Sequence, residues 1–535
     1  MKNLKPLVFW PPFLLLLGAV ILSFVNKEAF AAVTTKANNW ILANFSWLFN
    51  IGVLAMLVVC IAIFFSPFGK VKIGGSKAVP LLTPWKWFAV TICTSIAIGI
   101  LFWGTAEPMY HLSGPPKSLG IEPNSPAAAI YAMSTMYLHW TFSPYAIYAV
   151  PTVLFAFAYY NMRKPFSLAS TLYPLMGEKS LGALGMGIDA ITLYALVAGM
   201  AASLGTGVLT VSGGLNYLFG IPSNPVTWLF VTVAIVVTFV ISAITGLFNG
   251  IRFLSDLNAK IFFFLIIWVF IFGPTAYILN LGTESFANYL TYFFQKSLFT
   301  GAAAGDQWPQ WWTVFYWAVW LAWAPISGVF LGRISYGYSV RSVLLLNLFL
   351  AALFSVIWMT IFSGAAIHLE LVEKLGLAAV MAKNGTEGVV YLFLSKFPLA
   401  VIVIPVFVFT SFLSYVTGAD AMTSAMGGMS TAGISPESPE PSPVMKIIWG
   451  TILGAVAWVM ISFAGIDGIK MISNLGGFPA LFLELAMTVA LVMVALNPKK
   501  YDTFKEDYAE DGTPLAASTV QKPIDVNPSG TKITT

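Results

Sequence analysis

The chain has 535 residues, of which 58% are hydrophobic and only 9% charged, with a mean hydropathy of +0.83 and a formal net charge of +5. So few charges cannot cover the surface of a water-soluble protein of this length, and the composition is that of a polytopic membrane protein. The basic residues are scattered singly, which excludes a nucleic-acid stripe. Cys60 and Cys93 lie in apolar runs and His111, His139 and His368 are widely spaced, which argues against a disulfide framework or a metalloenzyme.

In chain order, Lys2, Lys5 and the later "EAFAA" resemble the ends of a signal peptide. The apolar stretch 7–25 between them is longer than the ~7–15 residues of a signal core and reads as a first transmembrane helix. Further apolar runs fall at 43–66, 86–105, 127–160, 181–219, 226–247, 257–280, 311–332, 342–366, 397–418, 444–466 and 473–496, which predicts about twelve spans. The fourth run contains Pro144 and Pro151, so a break is expected there. The segment 287–299 is amphipathic and is expected to lie along the outer membrane surface. After Pro498 the chain turns polar, which predicts a disordered tail. Sixteen Lys and Arg residues fall at the N-terminus, in the even-numbered loops and just after the last span, against eight on the opposite side. This bias predicts that both termini are cytoplasmic, in a bacterial-type plasma membrane.

No P-loop, HExxH or GxSxG stands in a context that supports chemistry, so no enzyme is expected. Many spans, short loops and no nucleotide site point to a secondary transporter, with a channel or a membrane-embedded enzyme as alternatives. Charges inside spans are costly and therefore informative; Asp189, Asp420 and Glu107 stand out, each either functional or a structural cap. The stretch "WWTVFYWAVWLAWAP" (311–325) places Trp312, Tyr316, Trp320 and Trp323 on one helix face, and Pro325 and Gly328 are expected to interrupt the helix beyond them. A second aromatic group, "HWTFSPYAIY" (139–148), offers Trp140, Tyr145 and Tyr148. These rings serve either core packing or a ligand cage. A cage suits a quaternary ammonium, which donates no N–H bond but is attracted to π faces by about 2 kcal/mol or more when desolvated.

At these residues the chain resembles the betaine/choline/carnitine transporter family. "WTVFYWAVWLAWAP" followed by "GRISYG" resembles its most characteristic segment, and "WGTAEP", "HWTFSPYAIYA", "SLGTGV", "GIRFLSDLN" and "TGADAMT" recur in order over most of the chain. The resemblance implies an all-α fold with two inverted five-helix repeats of the LeuT type plus two N-terminal helices, assembled as a homotrimer. The divisions would be 1–85 for the peripheral helices, 86–280 and 311–497 for the repeats, 281–310 for the outer surface segment, and 498–535 for the tail. By position, the substrate site would comprise Trp140, Tyr145, Tyr148, Trp320 and Trp323, with Ala97 and Gly99 from the backbone of "SIAIG". A sodium site, the one coupling ion implied, would use the carbonyls of Cys93, Ile96 and Ser414 and the hydroxyl of Thr417; Gly418 stands where the family pattern has a second hydroxyl. Sodium-independent relatives share an arginine at the ion position, which here corresponds to Asn258. The expected cargo is a small methylated amine, glycine betaine first, then trimethylamine N-oxide, choline or carnitine, with no other cofactor and no nucleic acid. Sodium-independent exchange and an osmosensor without net transport are the alternatives.

Overall fold

The computed structural model describes residues 4–95, 97–244, 248–433 and 441–515, the side chains at 97, 248–254 and 421 excepted. The described residues form helices and no strand. Helix starts follow local chemistry: Ser125 Oγ accepts from the Ala128 N–H at 3.1 Å with Pro126 at the first helical position, and Asn224 Oδ1 accepts from Val226 and Thr227 just ahead of Pro225–Ile244.

Among the described residues, ten helices are long and apolar enough to cross a bilayer, eleven when Pro84–Ser95 and Ile98–Ser113, bent by 57°, count as one span. That is fewer than the twelve runs in the sequence. The difference lies in Pro443–Leu496, a single 54-residue element. Straight, it would be about 81 Å long, far more than one bilayer crossing. Its backbone leaves helical geometry at Ala464 and at Gly465, where φ is 54°. The last two runs therefore meet at a kink that glycine permits, without a loop between them.

Prolines act differently at three places. Helix Pro126–Trp140 ends at Thr141 (φ −118°, ψ −119°) and Phe142–Ala156 begins at once. Pro144 lacks the N–H that would bond Trp140, and its ring crowds that carbonyl, so the break falls there. Pro151 stays inside its helix. The expected interruption at Pro325 does not occur, because Phe315–Ile334 runs through it as one helix. Close packing holds that helix in place. A Cβ on Gly328 would lie 2.5 Å from Pro151, and one on Gly477 would lie 2.4 Å from the Ala318 carbonyl.

Burial separates core from periphery. In Pro126–Asn161 and Gln310–Ile334, 94% of the most apolar stretch is buried within the protein, against 22% for Pro6–Val25 and 33% for Pro225–Ile244. The two segments richest in Trp and Tyr are thus the ones withdrawn from lipid. Two boundaries also shift. The seventh run ends at Phe272 before Gly273 and Pro274, so the segment expected at 287–299 belongs to helices Thr275–Thr291 and Phe293–Ser297. The tail is not disordered from 498 onward. Asp502 Oδ2 accepts from Tyr508 Oη at 2.6 Å and Asn161 Nδ2 at 2.9 Å, and Asp507 accepts from the Ser76 N–H at 2.7 Å. Residues 498–515 are therefore docked; 516–535 lie outside the described residues.

Candidate substrate site

The break at Thr141 swings Trp140 to one side and Tyr145 and Tyr148 to the other, with Trp320 between them. Ring centroids lie 5.8 Å from Trp320 for Trp140, 5.5 Å for Tyr145 and 4.9 Å for Tyr148, all edge-on or tilted. Offsets of this kind are favourable ring contacts in themselves. Beside them is a cavity of about 60 Å³ lined by Trp140, Tyr148, Trp320, Trp323, Gly99 and Ser95 among others. Trp323 is fixed by an Nε1–H bond to the Gly199 carbonyl at 2.9 Å. Gly99 leaves room for the indole: a Cβ there would lie 3.1 Å from Trp140 Cη2.

Tyr145 belongs to the ring cluster but not to the cavity wall; it is fully buried, with its hydroxyl bonded to Ser355 Oγ at 3.0 Å. Ala97 opens helix Ala97–Ser113 beside the bend, and its side chain is not described. Sequence reasoning gave Ser95 only as backbone. Ser95 lines the cavity, and its buried Oγ has no hydrogen-bond partner among the described residues. Such a hydroxyl can bond a ligand's carboxylate.

Behind Trp140 lies a buried polar cluster. Trp140 Nε1–H donates to Glu107 Oε2 at 2.7 Å, while Glu107 Oε1 lies 2.7 Å from His139 Nδ1 and 3.0 Å from His111 Nε2. Glu107 and both histidines are wholly buried. The three candidate ligand atoms lie within 4.8 Å of one another. Both nitrogens, however, are at hydrogen-bond distance from the same oxygen, and ligands of one ion held at about 2.0–2.1 Å stand farther apart. The cluster reads as a hydrogen-bonded carboxylate. Asp189 turns out to cap structure, accepting from Ser167 Oγ at 2.6 Å and the Ala169 N–H at 3.1 Å; Asp420 accepts from Ser242.

The expected ion ligands also gather in one place, Ile96 lying outside the described residues. Asn258 Nδ2 donates to Ser414 Oγ at 2.8 Å and lies 3.7 Å from Cys93 Sγ. Thr417 Oγ1 donates to the carbonyls of Leu413 and Ser414 at 3.0 and 3.1 Å, so its lone pairs remain open. A Cβ on Gly418 would lie 3.8 Å from the Cys93 carbonyl oxygen, an ordinary contact. Carbonyls, hydroxyls and the Asn258 amide oxygen are the hard donors a small cation prefers.

A family model described as "BCCT, betaine/carnitine/choline family transporter" matches residues 7–500. The chain belongs to this family. Among relatives, the glycine betaine transporter OpuD of Bacillus subtilis is 31% identical over 90% of this chain and 93% of its own length. The ectoine/hydroxyectoine transporter of Virgibacillus pantothenticus is 29% identical over 91% and 96%. Glycine betaine transporter 1 of Vibrio parahaemolyticus is 30% identical over 90% and 93%. A solved Na+-coupled sialic acid symporter overlays with a TM-score of 0.45 at 15% identity, covering 82% of this chain and 85% of that one. This chain is therefore a multi-pass membrane protein of a bacterial transporter family, and the aromatic segments that resembled that family line its cavity.

Proposed function

We propose that this chain carries a small trimethylammonium-type solute by alternating access, glycine betaine before trimethylamine N-oxide, choline or carnitine, and that carriage is linked to sodium. The observation that carries the reading is the convergence of the buried side chains of Trp140, Tyr148, Trp320 and Trp323, from the two most protein-enclosed spans, on one cavity. Lone interfacial anchors would not meet there. π faces attract the diffuse charge of a methylated ammonium without demanding an N–H donor, and Ser95 Oγ offers a bond to the opposite, carboxylate end. At about 60 Å³ the cavity is small, so the rings must part as substrate enters. Such motion fits a site that opens to one side at a time between two helix repeats.

Sodium would be held by the carbonyls of Cys93 and Ser414, the Thr417 hydroxyl and the Asn258 amide oxygen, and would supply the driving gradient. A second reading is sodium-independent exchange, favoured by one contact: the Asn258 amide is already engaged by Ser414 Oγ, which accepts from Nδ2 at 2.8 Å and lies 3.2 Å from Oδ1. Uptake of radiolabelled methylated amines and ectoine into proteoliposomes, with and without a sodium gradient, tests both. Betaine accumulation driven by sodium is expected. Counterflow alone, unaffected by sodium, would favour exchange, and uptake of no methylated amine would refute the proposal.

A further inference from the structure

The aromatic box has no acid on its wall, yet one lies a single residue behind it. Glu107 reaches the box through Trp140, whose indole N–H it binds at 2.7 Å, and also faces the Tyr316 side chain, while Tyr316 and Trp320 pack edge-on against the same indole at 5.4 and 5.8 Å. The hydrogen-bond pattern accommodates a charged carboxylate without a charged partner. Three N–H groups converge on the carboxyl, from Trp140, His139 and His111. His139 Nε2 is occupied by Thr313 Oγ1 at 3.1 Å, and His111 Nδ1 has no partner among the described residues. Each ring can therefore supply its one N–H while neutral, whereas a protonated Glu107 would give its own O–H to a ring nitrogen and lose that ring's N–H. The state that keeps all three N–H bonds is a carboxylate held by three neutral donors.

The nearest lysine does not cancel it. Lys470 Nζ stacks over Trp312 at 3.7 Å, with the Trp312 ring interposed 4.7 Å from His111, and Lys470 also has Asp467 on its own helix. One net negative charge thus remains buried beside the box, where low dielectric screens it little.

We propose that Glu107 is the specificity-determining residue that gives the box its preference for cations: through the Trp140 N–H it polarises the indole towards its faces, and it sets a negative potential behind them. The inference rests on the proposed function, since it takes the box to be the substrate site. It also explains how a cavity walled by rings discriminates an ammonium from an uncharged group of the same shape.

The test compares pairs that differ only in charge, glycine betaine with 3,3-dimethylbutanoate and choline with 3,3-dimethylbutan-1-ol, bound to purified wild type and Glu107→Gln of equal monodispersity. Gln keeps the size and one acceptor but removes the charge. The ratio of affinities for each trimethylammonium compound over its tert-butyl isostere is expected to fall about tenfold or more in Glu107→Gln, with the uncharged alcohol binding as in wild type. A purely structural anchor would weaken both members of a pair together, and an unchanged ratio would overturn the inference while leaving the proposed function standing. Wild type that binds neither amine would overturn both. Should Glu107→Gln not fold, Trp140→Phe is compared with Trp320→Phe, which makes the same ring exchange without a bond to Glu107; a larger fall in the ratio for Trp140→Phe supports the inference and an equal fall overturns it.

Discussion

Trp320 is the ring that the other three box residues share, at 4.9, 5.5 and 5.8 Å, and it is 3% exposed. Trp320→Ala would combine two effects, since truncating a buried Trp costs about 3–5 kcal/mol in folding alone. The informative pair is Trp320→Leu and Trp320→Phe. Leu fills part of the space without a π face and should lose a desolvated cation–π contact of about 2 kcal/mol. At 1.4 kcal/mol per tenfold, that raises the Kd for glycine betaine about 30-fold. Phe keeps a smaller, weaker face and should cost about 0.5–1 kcal/mol, a few-fold change. Calorimetric titration of purified, monodisperse protein reads the difference directly. If Leu and Phe bind betaine equally, and within about twofold of wild type, the π faces do not hold the substrate and the reasoning fails.

Three further outcomes follow from single sites. Gly418→Ser adds a hydroxyl where the Cβ meets only ordinary contact with the Cys93 carbonyl, 3.8 Å away; sodium should half-activate uptake at a lower concentration than in wild type, and an unchanged or raised value counts against a sodium site there. Burial pushes the Lys296 ammonium, outside the spans, from 10.5 down to about 7. Between those values the unfolded chain binds more protons than the folded one, so stability rises with pH across that window; Lys296→Met should flatten the rise in thermal midpoint from pH 7 to 10, and an identical profile in both proteins contradicts this. Glu484 is wholly buried and neither carboxyl oxygen has a partner among the described residues. Glu484→Leu should remove about 1–3 kcal/mol of desolvation cost and raise the thermal midpoint; a lowered midpoint would show that the carboxyl is bonded in the working protein.

What could be read from the chain itself divides along physical lines. The ring stripe on 311–325 was legible because a helix repeats every 3.6 residues, so Trp320 and Trp323 had to share a face whatever they packed against. Two partners of Glu107 were not, because His139 and Trp140 lie more than thirty residues away and only the packing of helix Pro126–Trp140 against Ala97–Ser113 brings them to it. Glu484 lies within an apolar run and Lys446 counts in the sequence as one of the sixteen cytoplasmic-side cations, yet both are buried, and Lys446 Nζ donates to the Ala243 carbonyl at 2.6 Å. Pro325 looked like a helix breaker because its local effect is unfavourable. Tertiary packing of Gly328 on Pro151 and of Gly477 on Ala318 outweighs that effect. The tail misled for the opposite reason: polar composition predicts exposure, but Asp502 and Asp507 find specific donors on the folded body.

The central claim is that a methylated cation sits among Trp140, Tyr148, Trp320 and Trp323. A structure determined with arsenobetaine, in which arsenic replaces the quaternary nitrogen, locates that atom by its anomalous signal. The account predicts a single peak against the faces of Trp140 and Trp320, with Ser95 Oγ towards the carboxylate. A peak confined to the larger cavity of about 350 Å³ beside Lys296 and Tyr131, or none between the rings, would contradict it.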